Sequence, residues 1–487
     1  MSGRESWSNS IGNQRVTPFR LLRPTTLAEI IDVVRLAESQ NRKVRAVGSG
    51  HSFSDIALTD DYLIDTHSLN KVLVLDSETL SESARNLTLV DIECGITIAD
   101  VNAALDRLGL ALINMGAHTA QTVVGALSTS THGSGISLGS AASFVRSIVA
   151  VGSEGKVYRI EPADGITDPE KFKTKHGDVE LIQNDDWFNS VVIGLGCMGV
   201  VYSVTVQVRQ KYWLRESRTL SNWAQVKADL LKGDVLRDNR HYEVLVNPYK
   251  LNGDHTCLVT VRNEIPEPQH PSEEKRNRSH LSVGLSFLPH FIIRFTGGLI
   301  SFKNRLLPGS IPKTIEDSLK GLADEEYDAS SYRVLDLGAP NYAAAYSSEY
   351  ALAVDDNSYI AAAEKIIEIA ERNRVTKNRY QTVPFSLRFV AKHDLYFSMM
   401  YGRPTCMIEV PMLDPTVGGL ETLREIEDSL IDLGARPHWG QIHYLAGGNS
   451  LIRKMYPMYD KWIAVRKILN SSGVFNSRFS ERCGFDA

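Results

Sequence analysis

Residues 44–55, with the sequence VRAVGSGHSFSD, constrain the fold of this chain more than any other stretch. An amphipathic helix precedes them, starting at the capping pattern Thr26-x-x-Glu29, and their first residues are typical of a buried strand. The loop that follows contains two glycines, His51 and two serines. Glycine lets the backbone approach a ligand closely, and successive N–H groups in such a loop can bind an anion. The stretch therefore predicts a helix–strand unit whose loop holds the pyrophosphate of a dinucleotide, with the His51 ring near the rest of that ligand.

A second segment rich in small residues spans 125–140, GALSTSTHGSGISLGS, and offers hydroxyl and N–H groups suited to a phosphate or a ring edge. Taken alone, it is equally typical of a surface loop made of turn residues. Between the two segments the pattern predicts short strands at 60–65, 71–76 and 87–94 and a helix from Thr97 to Leu108, which indicates α/β packing. Neither segment is a G-x-G-x-x-G loop opening a helix, so a Rossmann site is disfavoured. We expect both segments to contact one ligand.

The rest of the chain predicts a mixture of strands and helices without an internal repeat. The segment 161–186 is polar and is predicted to be irregular, whereas 190–208 is apolar, interrupted by glycines and predicted to be a pair of strands. The other predicted elements are strands at 144–151, at 156–160 and within 382–411, and helices near 358–373, 418–433 and 458–470.

Composition narrows the class of protein. The net charge of -5 gives no support for nucleic-acid binding, which usually needs a basic patch. The five cysteines are scattered and form no CxxC pair, and the N-terminal residues lack an apolar signal segment, so we expect a reduced cytoplasmic chain. The segment 281–300 is apolar but contains Arg294 near its centre, which disfavours a membrane span. We expect a helix of a substrate-binding lobe there, with peripheral membrane contact as the alternative.

Near the C-terminus, residues 436–443 (RPHWGQIH) place two histidines five residues apart. No third ligand stands at a useful spacing from His438 and His443, so no metal site is predicted. Histidines beside a redox ring, acting as donors or proton carriers, fit this pattern better.

On these segments the chain resembles the sugar-1,4-lactone and alditol oxidase group of the vanillyl-alcohol-oxidase-type flavoproteins. The resemblance covers about residues 16–208 and 380–480, and its specific parts are GSGHSFSD and the HWG…YP…GVFN tail. It implies a two-lobed α+β fold, with a PCMH-type FAD-binding domain at 1–208 and an α+β substrate cap domain at 209–435. The segment 436–487 would return to the FAD lobe.

The resemblance also implies the cofactor and the reaction. FAD would be bound covalently through His51 and would accept a hydride at N5 from a CH–OH group of a lactone, alcohol or polyol. Oxygen or another acceptor would then reoxidise it, giving hydrogen peroxide in the oxidase case that we expect. The predicted cofactor-binding residues are His51, Gly48, Ser49, Gly50, Ser52, Ser54, Asp55, Gly116, Ser128, Thr131, His132, Gly133, Gly135, Gly194, Gly199 and Val200.

Two residues depart from the pattern of the group. Its members usually carry Glu-x-Arg on a strand facing the flavin, whereas this chain has Ser386 and Arg388, and a usual lysine is replaced by Gln441. Arg388 remains the candidate clamp for a substrate oxygen, with Ser386 and Gln441 as neutral neighbours. His443 is the first choice of base, because imidazole titrates near neutral pH.

Glu409 would lie beside Arg388 if their strands pair antiparallel, either as a catalytic carboxylate or in a structural ion pair. The two replacements favour one alternative function, a flavoprotein of secondary metabolism that oxidises or cyclises a non-sugar substrate. A catalytically silent FAD-binding protein is a second alternative.

Overall fold

The computed structural model describes residues 4–272, 307–337, 345–446 and 449–486. The segment 281–300, for which a cap helix or a membrane-surface element is predicted, lies outside these ranges. Within them, no helix is long and apolar enough to cross a membrane. All five cysteines are buried and unpaired.

The N-terminal part of the chain begins with a small parallel sheet. Its strands are Arg20–Leu22, Tyr62–Asp65 and Val44–Val47, with Tyr62–Asp65 in the middle. The predicted helix is present at Leu27–Ser39 and buries Ile30, Val34 and Ala37, which lie on one face because they are spaced by three and four residues. The predicted strand ends at Val47, directly before the loop that contains His51. A short hairpin, Trp7–Ser8 with Arg15–Val16, precedes the sheet.

A six-stranded mixed sheet follows, and several predicted elements are confirmed in it. Its spatial order is Glu180–Gln183, Val157–Glu161, Val145–Val151, Val200–Gln207, Leu89–Glu93 and Val72–Leu73. The helix predicted after Thr97 is present at Ile98–Arg107, and the Thr97 side chain accepts a hydrogen bond from the Asp100 N–H. Further helices are Val123–Ser128, Pro169–Lys175 and Asp185–Val191.

Three local predictions are wrong. The segment 161–186 is not irregular: Asp168 caps the helix Pro169–Lys175, and the strand Glu180–Gln183 extends the sheet. The segment 190–208 is one strand rather than two, because its first apolar residues finish the helix Asp185–Val191 and the glycines after them turn the chain. The second small-residue segment starts inside the helix Val123–Ser128 and is therefore not a loop throughout.

The described residues of the second half of the chain form an antiparallel sheet of eight strands. Their spatial order is Asp324–Ser330, Trp213–Asn222, Asp254–Ile265, His241–Leu251, Phe385–Val390, Thr405–Leu413, Ala345–Ala353 and Arg436–Pro437. The helices of this half are Trp223–Lys232, Asp234–Asp238, Ile311–Leu322, Ser331–Leu335, Ser358–Lys377 and Gly419–Ile431. The predicted α+β class is confirmed, as are the helices near 358–373 and 418–433.

The last residues of the chain pack against its first two hundred. The helices are Asn449–Met455, Tyr459–Leu469 and Arg478–Arg482, of which the second confirms the helix predicted near 458–470. The Trp462 indole N–H donates to the Ile193 carbonyl at 3.2 Å, and the Val44 N–H donates to the Val474 carbonyl at 2.8 Å. The domain boundaries at 208/209 and 435/436 stay a prediction.

Candidate active site

A cavity of about 400 Å³ lies between the loops of the N-terminal half and the eight-stranded sheet. One wall is made by residues 45–53 and by residues within 117–132 and 191–201. The other is made by residues of four strands or strand ends, within 345–349, at 388, and within 409–411 and 438–441. The two small-residue segments of the sequence therefore do contact one cavity, together with the candidate substrate clamp Arg388.

The first loop presents a run of free backbone N–H groups to this cavity. Residues 48–52 all line it, and their five N–H groups bond to no acceptor among the described residues. The loop carbonyls are instead held from the N-terminal hairpin: that of Gly50 accepts from the Ser10 N–H at 2.8 Å, and that of Ser52 from the Asn9 side chain at 2.9 Å. Unpaired N–H groups of successive loop residues can form a site for an anion.

Two features fix the shape of this loop. A Cβ atom on Gly48 would lie 1.9 Å from Thr122 Oγ1, so the backbone passes Thr122 where a side chain has no room. The Ser49 hydroxyl is buried and has no hydrogen-bond partner among the described residues, which leaves it available to a ligand. Ser54 and Asp55 do not line the cavity but anchor the loop, because they bind the Trp439 carbonyl and Arg482.

The His51 ring lines the same cavity and makes no hydrogen bond to any described residue. Burial, and to a lesser extent the neighbouring His118, lower its pKa to about 4. The imidazole is therefore neutral near pH 7 and keeps a free lone pair on one nitrogen.

The other predicted cofactor residues fall into two groups, those that line the cavity and those that do not. Ser128, Thr131, His132, Gly194 and Gly199 line the cavity. Those that do not line it are Gly116, Gly133, Gly135 and Val200. Gly133 and Gly135 serve close packing instead, since a Cβ on either would lie 2.4 Å or 2.6 Å from a backbone carbonyl oxygen.

Sequence reasoning missed the segment 117–122, which lines the cavity throughout. It contains His118, whose pKa is lowered by burial. The signal was present in the sequence as Gly116-Ala-His-Thr before the helix Val123–Ser128, but the segment carries a single glycine and does not have the composition of the other two.

The sheet wall carries a hydrogen-bonded polar cluster. Arg388 Nη2 donates to Glu409 Oε2 at 3.2 Å, and the Gln441 side-chain amide lies 3.4 Å from Glu409 Oε1. Ser347 Oγ donates to Gln441 Oε1 at 2.7 Å. Burial by itself would lower the pKa of Arg388, but Glu409 and Glu243 raise it above its ordinary value, so this guanidinium is a permanent cation.

The strands that carry Arg388 and Glu409 pair antiparallel, which is the condition for the two side chains to lie together, and this pairing has a consequence for Ser386. In the register, Ser386 lies directly opposite Glu409, so both side chains leave the sheet on the same face. The Ser386 hydroxyl is buried, has no partner among the described residues, and does not line the cavity. The carboxylate absent at position 386 is therefore present on the adjacent strand.

His443 lies outside the cavity. Its ring stands edge-on to those of Trp439 and Phe479, at centroid distances of 5.8 and 6.0 Å. Burial, and then Arg482, lower its pKa well below the ordinary value, so the ring is neutral. The structure does not place this residue within reach of a ligand in the cavity, in contrast to Glu409.

Comparison with known proteins identifies the families that the chain matches. Residues 18–161 match the FAD binding domain family, and residues 204–483, more than half of the chain, match the D-arabinono-1,4-lactone oxidase family. The L-gulono-1,4-lactone dehydrogenase of Mycobacterium tuberculosis is 28% identical over 481 residues, covering 98% of each chain. The L-gulonolactone oxidase of Bos taurus is 24% identical and covers 98% of this chain and 97% of its own.

Solved structures support the fold alone. A solvent-stable cholesterol oxidase superposes with a TM-score of 0.76 at 16% identity, covering 99% of this chain and 97% of its own. A cholesterol oxidase from B. sterolicum gives 0.75 at 14% identity, with 98% and 96% coverage. The resemblance and the two-lobed FAD-binding fold predicted from the sequence are confirmed, and the chain belongs to the D-arabinono-1,4-lactone oxidase family.

Proposed function

We propose that this protein binds FAD in the cavity and oxidises a CH–OH group of a sugar lactone. The observation that carries the proposal is that the run of free N–H groups at residues 48–52 and the Arg388–Glu409–Gln441 cluster line the same cavity. The N–H groups suit a pyrophosphate, and the polar cluster suits a ligand with several hydroxyl and carbonyl oxygens.

The first wall has the donors that FAD requires. Residues 48–52 would bind its pyrophosphate, and the hydroxyls of Ser49, Ser128 and Thr131 would bind other polar groups of the cofactor. FAD supplies a hydride acceptor when it is bound, and its electrons pass on to oxygen or another acceptor. We further propose that His51 carries FAD covalently, since its neutral ring has a free lone pair and makes no competing hydrogen bond within the part of the chain that the structure describes.

On the sheet wall, Arg388 would donate hydrogen bonds to a substrate oxygen and fix its orientation. Glu409 would accept the proton of the reacting hydroxyl, because it is the carboxylate that lies in the cavity next to Arg388. Gln441 would complete the clamp, with its amide oriented by Ser347. His443 has no place in this arrangement, and the small side chain of Ser386, opposite Glu409 in the register, would leave space for that carboxylate.

Acid denaturation of the purified protein tests the cofactor assignment. Flavin fluorescence should stay with the polypeptide on a denaturing gel and should be lost in His51→Ala. The matched control is His118→Ala. This variant removes another imidazole that lines the same wall, and its flavin fluorescence should stay with the polypeptide. Flavin released from the unmodified chain would contradict covalent attachment, and a protein that stays colourless when supplied with FAD would contradict FAD binding itself.

Turnover assays test the substrate class. Gulono-, galactono- and arabinono-1,4-lactone and xylitol should be compared, with oxygen and with an artificial electron acceptor. We expect a lactone to be the best substrate. A flavin-loaded protein that oxidises none of the four with either acceptor would instead favour a non-sugar substrate or a silent FAD-binding protein.

A further inference from the structure

Three side chains from distant parts of the sequence form a buried cluster in the cavity wall. His132 comes from the cofactor side, Glu349 from the strand Ala345–Ala353 and His438 from the C-terminal segment. None is more than 5% exposed. His132 Nε2 lies 3.1 Å from Glu349 Oε1, and His438 Nε2 lies 4.0 Å from Glu349 Oε2.

The hydrogen bonds of His132 define its protonation. Its Nδ1 lies 2.8 Å from the Gly133 carbonyl oxygen, and its Nε2 faces the Glu349 carboxylate. Both neighbours are acceptors when Glu349 is ionised, so a neutral imidazole would turn a lone pair toward one of them. Only the doubly protonated ring donates to both. Burial alone would raise the pKa of Glu349, but the charge and hydrogen bond of His132 lower it below the ordinary value, so the carboxylate is ionised.

His438 differs from His132 in its protonation. The Gly440 N–H donates to its Nδ1 at 3.0 Å, which makes that nitrogen an acceptor and places the proton on Nε2. Burial lowers its pKa to about 4, so the ring is neutral. The two imidazoles on either side of Glu349 are thus a cation, which is hydrogen-bonded to it, and a neutral ring whose Nε2 lies 4.0 Å away.

The balance of charge around Glu349 supports the same assignment. Glu349 and Glu409 lie directly opposite each other on paired strands, and Gln441, which is neutral, reaches both. Arg388 is bonded to Glu409 and not to Glu349. Two like charges opposite each other are destabilising unless each has its own cation. Arg388 supplies one, and His132 supplies the other.

We propose that Glu349 is a positioning residue that holds His132 as a fixed imidazolium in the cavity wall, where its charge stabilises the reduced form of FAD. The inference rests on the proposed binding of FAD in this cavity. A hydride from the substrate adds two electrons and one proton to the cofactor, while the hydroxyl proton leaves to the base. The cofactor therefore gains negative charge, which a preorganised cation nearby stabilises.

The charge of His132 can be read directly from the ring nitrogens in a protein labelled with ¹⁵N-histidine, with His132→Gln used to assign the signals. We expect both His132 nitrogens to carry a proton, and one to lose it in Glu349→Gln. Glu409→Gln is the matched control and should leave His132 doubly protonated. A neutral His132 ring in the unmodified protein would overturn the proposal, whether or not FAD is bound.

The midpoint potential of the bound FAD reports the effect on the cofactor. His132→Gln should lower it enough to change the ratio of reduced to oxidised cofactor at least tenfold, about 30 mV for a two-electron couple. Because a lone buried carboxylate can prevent folding, the double variant His132→Gln/Glu349→Gln provides a neutral hydrogen-bonded pair that should show the same direction. His438→Gln, which replaces a neutral ring, should leave the potential unchanged.

An unchanged potential in a flavin-loaded variant that still oxidises a lactone would refute the role of His132 and leave the proposed function standing. Failure of FAD to bind to the unmodified protein would refute the proposed function, and the nitrogen signals would still decide the charge of His132.

Discussion

Replacing Glu427 by glutamine should make the protein more stable above neutral pH and leave it unchanged in acid. Glu427 is 1% exposed, and one carboxyl oxygen accepts the Tyr444 N–H at 2.8 Å while the other has no partner among the described residues. Burial raises its pKa from 4.5 to about 7. Each tenfold change in proton affinity corresponds to about 1.4 kcal/mol, so ionising this group costs the folded state about 3 kcal/mol at pH 8.

The direction of the pKa shift of Glu427 determines how its contribution to stability changes with pH. The unfolded chain loses this proton near pH 4.5 and the folded chain near pH 7, so the contribution to stability is complete below pH 4.5 and is lost as the pH rises through 7. Glutamine keeps an oxygen for the Tyr444 N–H and has no proton to lose. The variant should therefore match the unmodified protein at pH 4.5 and exceed it increasingly up to pH 8.

Urea unfolding followed by tryptophan fluorescence at pH 4.5, 6, 7 and 8 measures this difference. Glu421→Gln, an exposed glutamate on the same helix, is the control and should show no such trend. A difference between Glu427→Gln and the unmodified protein that does not change with pH would refute the reasoning, because it would show that Glu427 does not titrate in this range.

Three further outcomes follow from the site. Gly48→Ala should abolish FAD binding, measured as bound flavin absorbance per protein, whereas Gly309→Ala, where a Cβ meets no described atom within 4 Å, should not; equal flavin content would contradict the packing argument. Arg45→Met should lower the free energy of unfolding by about 3 kcal/mol in urea titrations, since the buried guanidinium donates to the carbonyls of Ile56 and of the turn at 195–196. Glu409→Gln should lower kcat/KM for the preferred lactone about 100-fold with flavin content unchanged, and an unaltered kcat/KM would exclude Glu409 as the base.

The elements that the sequence predicted well are those with a local cause. The helix Leu27–Ser39 follows from its capping threonine and apolar spacing, and the strand Val44–Val47 from four residues that precede a glycine turn. Even there, one detail differs: the Glu29 carboxylate accepts from the Thr25 N–H at 2.6 Å rather than from that of Thr26. The pairing of Arg388 with Glu409 was also predictable, because it needs only two neighbouring antiparallel strands.

The sequence could not predict the role of residues that depend on packing against distant parts of the chain. Glu349 has no motif around it, and its importance arises from the strand order, which places Ala345–Ala353 beside Thr405–Leu413. His443 was chosen as the base for its residue type, yet the aromatic rings of Trp439 and Phe479 enclose it away from the cavity. Residue type alone could not show that Glu349 lies in the cavity wall and that His443 lies outside the cavity.

The hydrogen bond from Ser54 Oγ to the Trp439 carbonyl joins residues that are 385 positions apart, and the Phe53 N–H binds the Gly440 carbonyl beside it. At a synthesis rate of about 5–20 residues per second, roughly 20 to 80 seconds pass between the synthesis of the loop that carries His51 and the synthesis of these partners. We therefore expect flavin to bind only after these residues have been synthesised, so that a product truncated before residue 439 accumulates without colour.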